Sequence, residues 1–281
     1  MIEKLLHLDR RVIFVFIALA VGVPMVGGWK FDQGSNPRTT AVHKYIEDLP
    51  DRSVVLLCFD YGPASMPELQ PMALAIAQHV LSRDLRLVCM TTYADAPLLI
   101  EDTLATVVER LEKEKGIKRE DGKDYVNLGY RPGLVNVILG MSADIGAVWK
   151  TDFNDRRYGD LAVTKGVRTF KDVGLVIDLA SSSTPGAWVV YAHERYKVKV
   201  ACGVTAVMAQ DYYPYLQTHQ LVGMLNGMKG AAEYEKLVGL ESDASKAMGP
   251  QSCAHFLIIA LVIFGNIVYA VSRRRARRQT P

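Results

Sequence analysis

The stretch SVVLLCFDYGPASMPELQPMALAIAQHVL, residues 53–81, decides the fold. Val54 to Phe59 is apolar at every position, as in a strand covered on both faces of a parallel sheet. The turn Asp60-Tyr61-Gly62-Pro63 follows, and Leu69, Met72, Ile76 and Val80 then recur at helical spacing. Ser65 with Glu68 three residues on predicts a capping box at the start of that helix.

The same alternation continues along the chain. Leu85–Met90 reads as a second strand, followed by a helix with Asp95 as N-cap, Pro97 in its first turn and Ile100, Leu104, Val107 and Leu111 on its buried face. Tyr125–Leu128, Leu175–Leu179 and Val198–Cys202 read as further strands, and Pro185 opens the helix after the fourth. Tyr212–Val238 reads as an aromatic turn and a glycine-punctuated helix. Strands joined through helices predict an α/β fold: a Rossmann-like parallel sheet of about five strands with helices on both faces.

Both ends are apolar. Val12–Trp29 and Ala254–Val271 contain no Asp, Glu, Lys or Arg and approach the length of about 20 residues that crosses a hydrocarbon core. The first is long for a signal-peptide core and is followed by no small-residue cleavage site, so it is read as an uncleaved anchor. Lys4, Arg10 and Arg11 precede it, and Arg273, Arg274, Arg275, Arg277 and Arg278 follow the second. By the positive-inside rule both termini are cytoplasmic and the residues between the two transmembrane helices are extracytoplasmic. The expected organisation is a leader and first span (1–29), a linker with a short helix near 41–47 (30–52), the α/β domain (53–240), a polar tether (241–252), the second span (253–272) and a basic tail (273–281).

The chain is formally +3, but the ends hold eight basic against two acidic residues, which leaves the middle net acidic. That argues against a nucleic-acid partner; the basic tail meets anionic lipid of the bilayer instead. Cys58, Cys89 and Cys202 lie in apolar strands and read as buried thiols, with a Cys58–Cys89 disulfide as the alternative if those strands are neighbours. The cysteines have no zinc spacing, and Asp152, Asp155 and Asp160, interleaved with Arg156 and Arg157, have no EF-hand spacing, so no metal is assigned.

In open parallel sheets ligands bind beyond the carboxyl ends of the strands. This nominates Asp60 and Tyr61, Thr91 and Thr92, Asp178 with Ser181 and Ser182, and Thr205 as ligand-binding candidates. The alternative is that such residues merely cap helices and satisfy turn amides. DYGPASMPE matches neither nucleotide-binding glycine pattern and Pro63 removes an amide, so no cofactor is expected. ASSSTPG lacks the glycine of a nucleophile elbow, and His79, His193 and His219 sit in helical stretches, which disfavours acyl transfer.

Gly223, Gly227 and Gly230 would give one small helix face, suited to close packing inside the domain, or against a partner subunit or the membrane surface beside the second span. His255 and Asn266 are the strongly polar side chains of the second span and could bond to a neighbouring helix, either the first span or another copy.

The segments FDYGPASMPELQPMA (59–73), DYVNLGYRPG (124–133) and QLVGMLNGMKGAAEYE (220–235) together resemble an uncharacterised family of bacterial and archaeal membrane proteins with an α/β domain between two transmembrane helices. The resemblance spans nearly the whole chain, implies that architecture and implies no activity. Two functional readings follow from the residues. One is a non-enzymatic extracytoplasmic binding or scaffold module, extending to an accessory subunit of a membrane complex with a membrane-protein or self partner. The other is a membrane-bound hydrolytic enzyme using Asp60 and Asp178.

Overall fold

The computed structural model describes residues 9–29, 34, 36–240 and 242–279, with side chains through Arg273. It divides into two compact units, Gln33–Ala244 and a unit made of the two ends.

The larger unit is an α/β layer structure. Its six parallel strands are β1 (Val54–Asp60), β2 (Arg86–Thr91), β3 (Tyr125–Tyr130), β4 (Leu175–Ala180), β5 (Val200–Val204) and β6 (Met224–Asn226). They lie in the order β3-β2-β1-β4-β5-β6. From β1 the chain winds outward to β3, then returns to β4 beside β1 and winds the other way. The β1–β4 boundary is therefore the topological switch point. The sixth strand was not foreseen: Met224-Leu225-Asn226 is only three residues long and sits in a glycine-rich run without a strand's alternation.

The first helix, α1 (Arg10–Gly27), precedes the helices of this unit and the C-terminal helix. They are α2 (Pro37–Glu47), α3 (Met66–Ser82), α4 (Pro97–Lys115), α5 (Leu134–Ala143), α6 (Ile145–Val148), α7 (Thr184–Trp188), α8 (Glu194–Tyr196), α9 (Tyr213–Gln217), α10 (Gly227–Leu237) and α11 (Asp243–Gln279). A π turn, Val189–His193, joins α7 to α8. One sheet face carries Leu56, Cys58, Met90, Val126, Val176 and Cys202 beneath Ile138, Met141, Trp149, Phe170 and Trp188. On the other, α3 packs against α4 and α10, and α2 against α10 and β6. Thus α2 is part of the unit, with Val42 and Ile46 fully buried.

Several local expectations change. The cap of α4 is Ala96 rather than Asp95, with no side-chain bond, and Ser65 likewise makes no cap bond to α3. Glu68 instead accepts the Ala206 amide at 2.8 Å, tying the start of α3 to the turn after β5. Cys58 and Cys89 are on neighbouring strands, but Cys89 is level with Leu57, so the two thiols face opposite sides of the sheet and are free.

The glycines do not share a helix face. Gly223 precedes β6, where an added Cβ would strike the Arg38 carbonyl and lie 2.7 Å from Val42 Cγ2. Gly227 opens α10 at φ +58°, a left-handed conformation that side chains other than glycine adopt at a cost. At Gly230 an added Cβ would lie 2.9 Å from the Leu225 backbone. The small residues seat α2, β6 and α10 against their own domain.

In the unit of the two ends, α1 (Arg10–Gly27) continues through Pro24 and ends at Gly28 in the left-handed conformation. The segment expected as a polar tether is helical from Asp243 and continuous with the apolar span, giving one 37-residue helix. Both helices are long and apolar enough to cross a membrane. Phe14, Val15, Leu19, Phe256, Ile259 and Val262 are all exposed, unlike the side chains of a globular core. His255 is exposed, and Asn266 satisfies its own helix by donating to the Val262 carbonyl at 2.9 Å.

Candidate functional site

Asp60 and Asp178 meet at the switch point. In the β1–β4 register Cys58 is level with Asp178 and Asp60 with Ala180. The two carboxyls thus share one sheet face, a diagonal step apart on adjacent strands, and both residues are completely buried. Apolar strands carry them there: Asp60 is the last residue of VVLLCFD, and Asp178 is the one polar residue within LVIDLA.

Their partners are unequal. Asp60 Oδ1 accepts the Thr92 amide at 2.7 Å and the Thr92 hydroxyl at 2.9 Å, with the Thr91 hydroxyl at 3.5 Å. Thr91 is itself anchored, donating to the Phe59 carbonyl at 2.6 Å and accepting the Tyr93 amide at 2.8 Å. Asp60 Oδ2, both oxygens of Asp178, Ser182 Oγ and Thr184 Oγ1 are buried without a well-formed hydrogen bond. Asp178 interacts electrostatically with Asp60 and Thr184, but no contact with either reaches good hydrogen-bond geometry.

Burial raises the pKa of both carboxyls, and the Asp60 charge raises Asp178 further; the Thr92 bonds oppose the shift at Asp60. Two carboxylates in one dry site do not both ionise, so the pair retains a proton well above the usual carboxylate range, most strongly at Asp178. Burial, reinforced by Asp178, also keeps the Cys58 and Cys202 thiols protonated. The site can therefore both donate and accept hydrogen bonds while carrying little charge.

Four of the residues nominated from strand ends converge: Asp60, Thr91, Thr92 and Asp178. Ser181 and Ser182 lie on the half-buried loop after β4, where Ser182 Oγ is buried without a partner. The Tyr212 hydroxyl holds that loop by donating to the Ser182 carbonyl at 2.9 Å. Tyr61 does not join them. It alternates to the opposite face, fully buried, and its hydroxyl donates to Gln70 Oε1 at 2.7 Å, with Gln70 Nε2 reaching Thr103 at 2.9 Å. Thr205 closes the turn after β5 by accepting the Met208 amide through its carbonyl. Thr184 was missed because the residue after three serines reads as helix cap, and only the fold turns its hydroxyl inward.

Elsewhere, Asp152 is consumed by its own loop, accepting the Asn154 and Arg156 amides and the Arg156 Nε at 2.7 Å. A second cluster gathers His43 and Glu47 of α2, His79 of α3 and Tyr234 of α10. Burial lowers the His79 pKa to about 4 and leaves the ring neutral at physiological pH.

No family model matches the chain, and no curated protein matches it. Among solved structures, it is similar to the N-terminal domain of trehalose-6-phosphate phosphatase from Candida albicans, at 8% identity and a TM-score of 0.32, over 90% of this chain and 47% of that one. It is also similar to the trehalose-6-phosphate synthase OtsA, at 8% identity and a TM-score of 0.27, over 80% of this chain and 46% of that one. The chain spans about half the length of either.

Proposed function

We propose that this chain is a twice-anchored membrane protein whose α/β unit binds a small polar ligand outside the cytoplasm, beside Asp60 and Asp178 at the carboxyl ends of β1 and β4. One observation carries the reading: buried polar atoms lacking a hydrogen-bond partner on Asp60, Asp178 and Thr184 collect at the switch point, where open parallel sheets bind ligands, with Ser182 Oγ also unpartnered on the loop after β4. Buried polar groups are ordinarily paired, and an unpaired one costs about 1–3 kcal/mol. A hydroxyl- or amine-bearing molecule would satisfy several at once.

The exposed apolar sides of α1 and α11 favour lipid as their solvent, and the arginines after the second span favour a cytoplasmic tail. The test is a thermal-shift screen of the detergent-purified chain against monosaccharides, polyols and polyamines. A ligand of this site raises the melting temperature of the wild type and loses that effect in a folded Asp178→Asn variant. Equal shifts in both, or none in the wild type, overturn the reading.

The proton retained by the pair supports the second reading, a hydrolytic enzyme, since neighbouring carboxyls with one proton between them in count suit general acid–base work. It predicts turnover of the bound molecule by the wild type and none by Asp60→Asn; binding without turnover leaves the module reading in place.

A further inference from the structure

We propose that His43, Glu47 and His79 form a binding site for a divalent transition metal of the zinc class. His43 and Glu47 stand one turn apart on α2, which puts both on the same helix face. His79, in the last turn of α3, is presented to that face, and one nitrogen or carboxylate oxygen from each residue lies within 4.8 Å of the others. A His₂Glu set is a ligand combination of zinc, which takes three protein ligands and leaves a fourth position to water. Nitrogen ligands also distinguish it from the all-oxygen sites of calcium and magnesium.

The surroundings suit such a site. His79 is 3% exposed and its Nδ1 lies 2.7 Å from the Tyr234 hydroxyl, which orients the ring so that Nε2 faces Glu47 Oε1 at 2.6 Å. An outer partner that fixes the second imidazole nitrogen is the usual support of a metal-bound histidine. His43 stacks on His79 with ring centroids 4.5 Å apart, while the Glu47 side chain is half-exposed and leaves the site open to solvent on one side. With bonds of about 2.0–2.2 Å, tetrahedral ligand atoms stand about 3.3–3.5 Å apart, so the widest separation must close by up to about 1.5 Å and the His79–Glu47 contact must open. Rotation of the less buried His43 and Glu47 side chains supplies both movements.

A cation faces the cluster. Arg83 bonds to the Glu47 carbonyl and lies 3.2 Å from Glu47 Oε2. It also donates to the Leu49 carbonyl at 3.2 Å and approaches Asp51 at 3.7 Å, partners that remain when the carboxylate turns to a metal. Because α3 leads from the carboxyl end of β1 back to the start of β2, its last turn lies at the opposite sheet edge from Asp60. The metal would clamp α2 to α3 and stands apart from the ligand reading above.

The test uses the full chain, purified in detergent without a histidine tag, stripped with EDTA and titrated with Co²⁺. The expected result is one equivalent bound with the strong visible absorption of tetrahedral Co²⁺, displaced by Zn²⁺. Binding is lost in His43→Ala and Glu47→Gln, both at less buried positions, and is weakened about tenfold in Tyr234→Phe. A folded wild type that binds no Co²⁺ or Zn²⁺, or that binds them no more tightly than the two ligand variants, overturns the proposal.

Discussion

Asp178 lies one diagonal step from Asp60 across the β1–β4 pair, and neither of its oxygens forms a hydrogen bond of normal geometry. A domain that buries two acids on one face with three of their four oxygens unpaired is held below its greatest stability at that point. The arrangement yields two measurable consequences.

Because both folded-state pKa values are raised, the native state holds more protons than the unfolded chain above the unfolded carboxyl pKa of about 4. The stabilisation is complete below that pH and declines as pH rises through the window up to the folded values. Chemical unfolding of the full chain should show stability falling from pH 4 toward neutrality. Asp178→Asn should flatten the dependence and raise stability at pH 7 by about 1–2 kcal/mol. A stability that climbs over the same range would contradict a retained proton.

Gly223 tests how tightly β6 is seated. An alanine Cβ there meets Arg38 backbone and Val42, neither of which can swing aside as a flexible side-chain end can. Gly223→Ala should cost about 1–3 kcal/mol. Gly159→Ala, with nothing within 4 Å of the added atom, should stay within about 0.5 kcal/mol. Thermal unfolding of the two variants side by side measures the difference.

Tyr61 separates structure from site. Removing its hydroxyl in Tyr61→Phe leaves Gln70 Oε1 without its donor and should cost about 1–2 kcal/mol. Ligand affinity at the Asp60–Asp178 site should be unchanged. An affinity loss without a stability loss would put Tyr61 back among the ligand contacts.

Orientation is open to direct labelling. With Cys58, Cys89 and Cys202 buried, a Lys118→Cys, Cys253→Ser variant presents one exposed thiol after α4. A membrane-impermeant maleimide should label it in intact cells. Labelling only after lysis would place the α/β unit in the cytoplasm.

The α/β class and the two apolar helices could be read directly, because each rests on a run of consecutive residues: VVLLCF for a strand covered on both faces, AHFLIIALVIFGNIVYAV for a span. The strand-end rule likewise singled out Asp60 and Asp178, which break otherwise apolar strands. Tertiary structure decided what local pattern cannot carry. Strand order placed β4 rather than β3 beside β1 and so brought residues 118 positions apart onto one face. Side-chain alternation sent Tyr61 to the opposite layer although it is adjacent to Asp60. Gly223, Gly227 and Gly230 carry the spacing of a helix face, yet β6 pairing with β5 takes the first out of any helix. The cluster of His43, Glu47 and His79 exists only because α2 and α3 pack together: one turn of helix joins the first two, but nothing in the 31 residues from Asp48 to Gln78 announces the third. Short-range periodicity reports which faces are buried, while the choice of what each face is buried against is made by long-range packing.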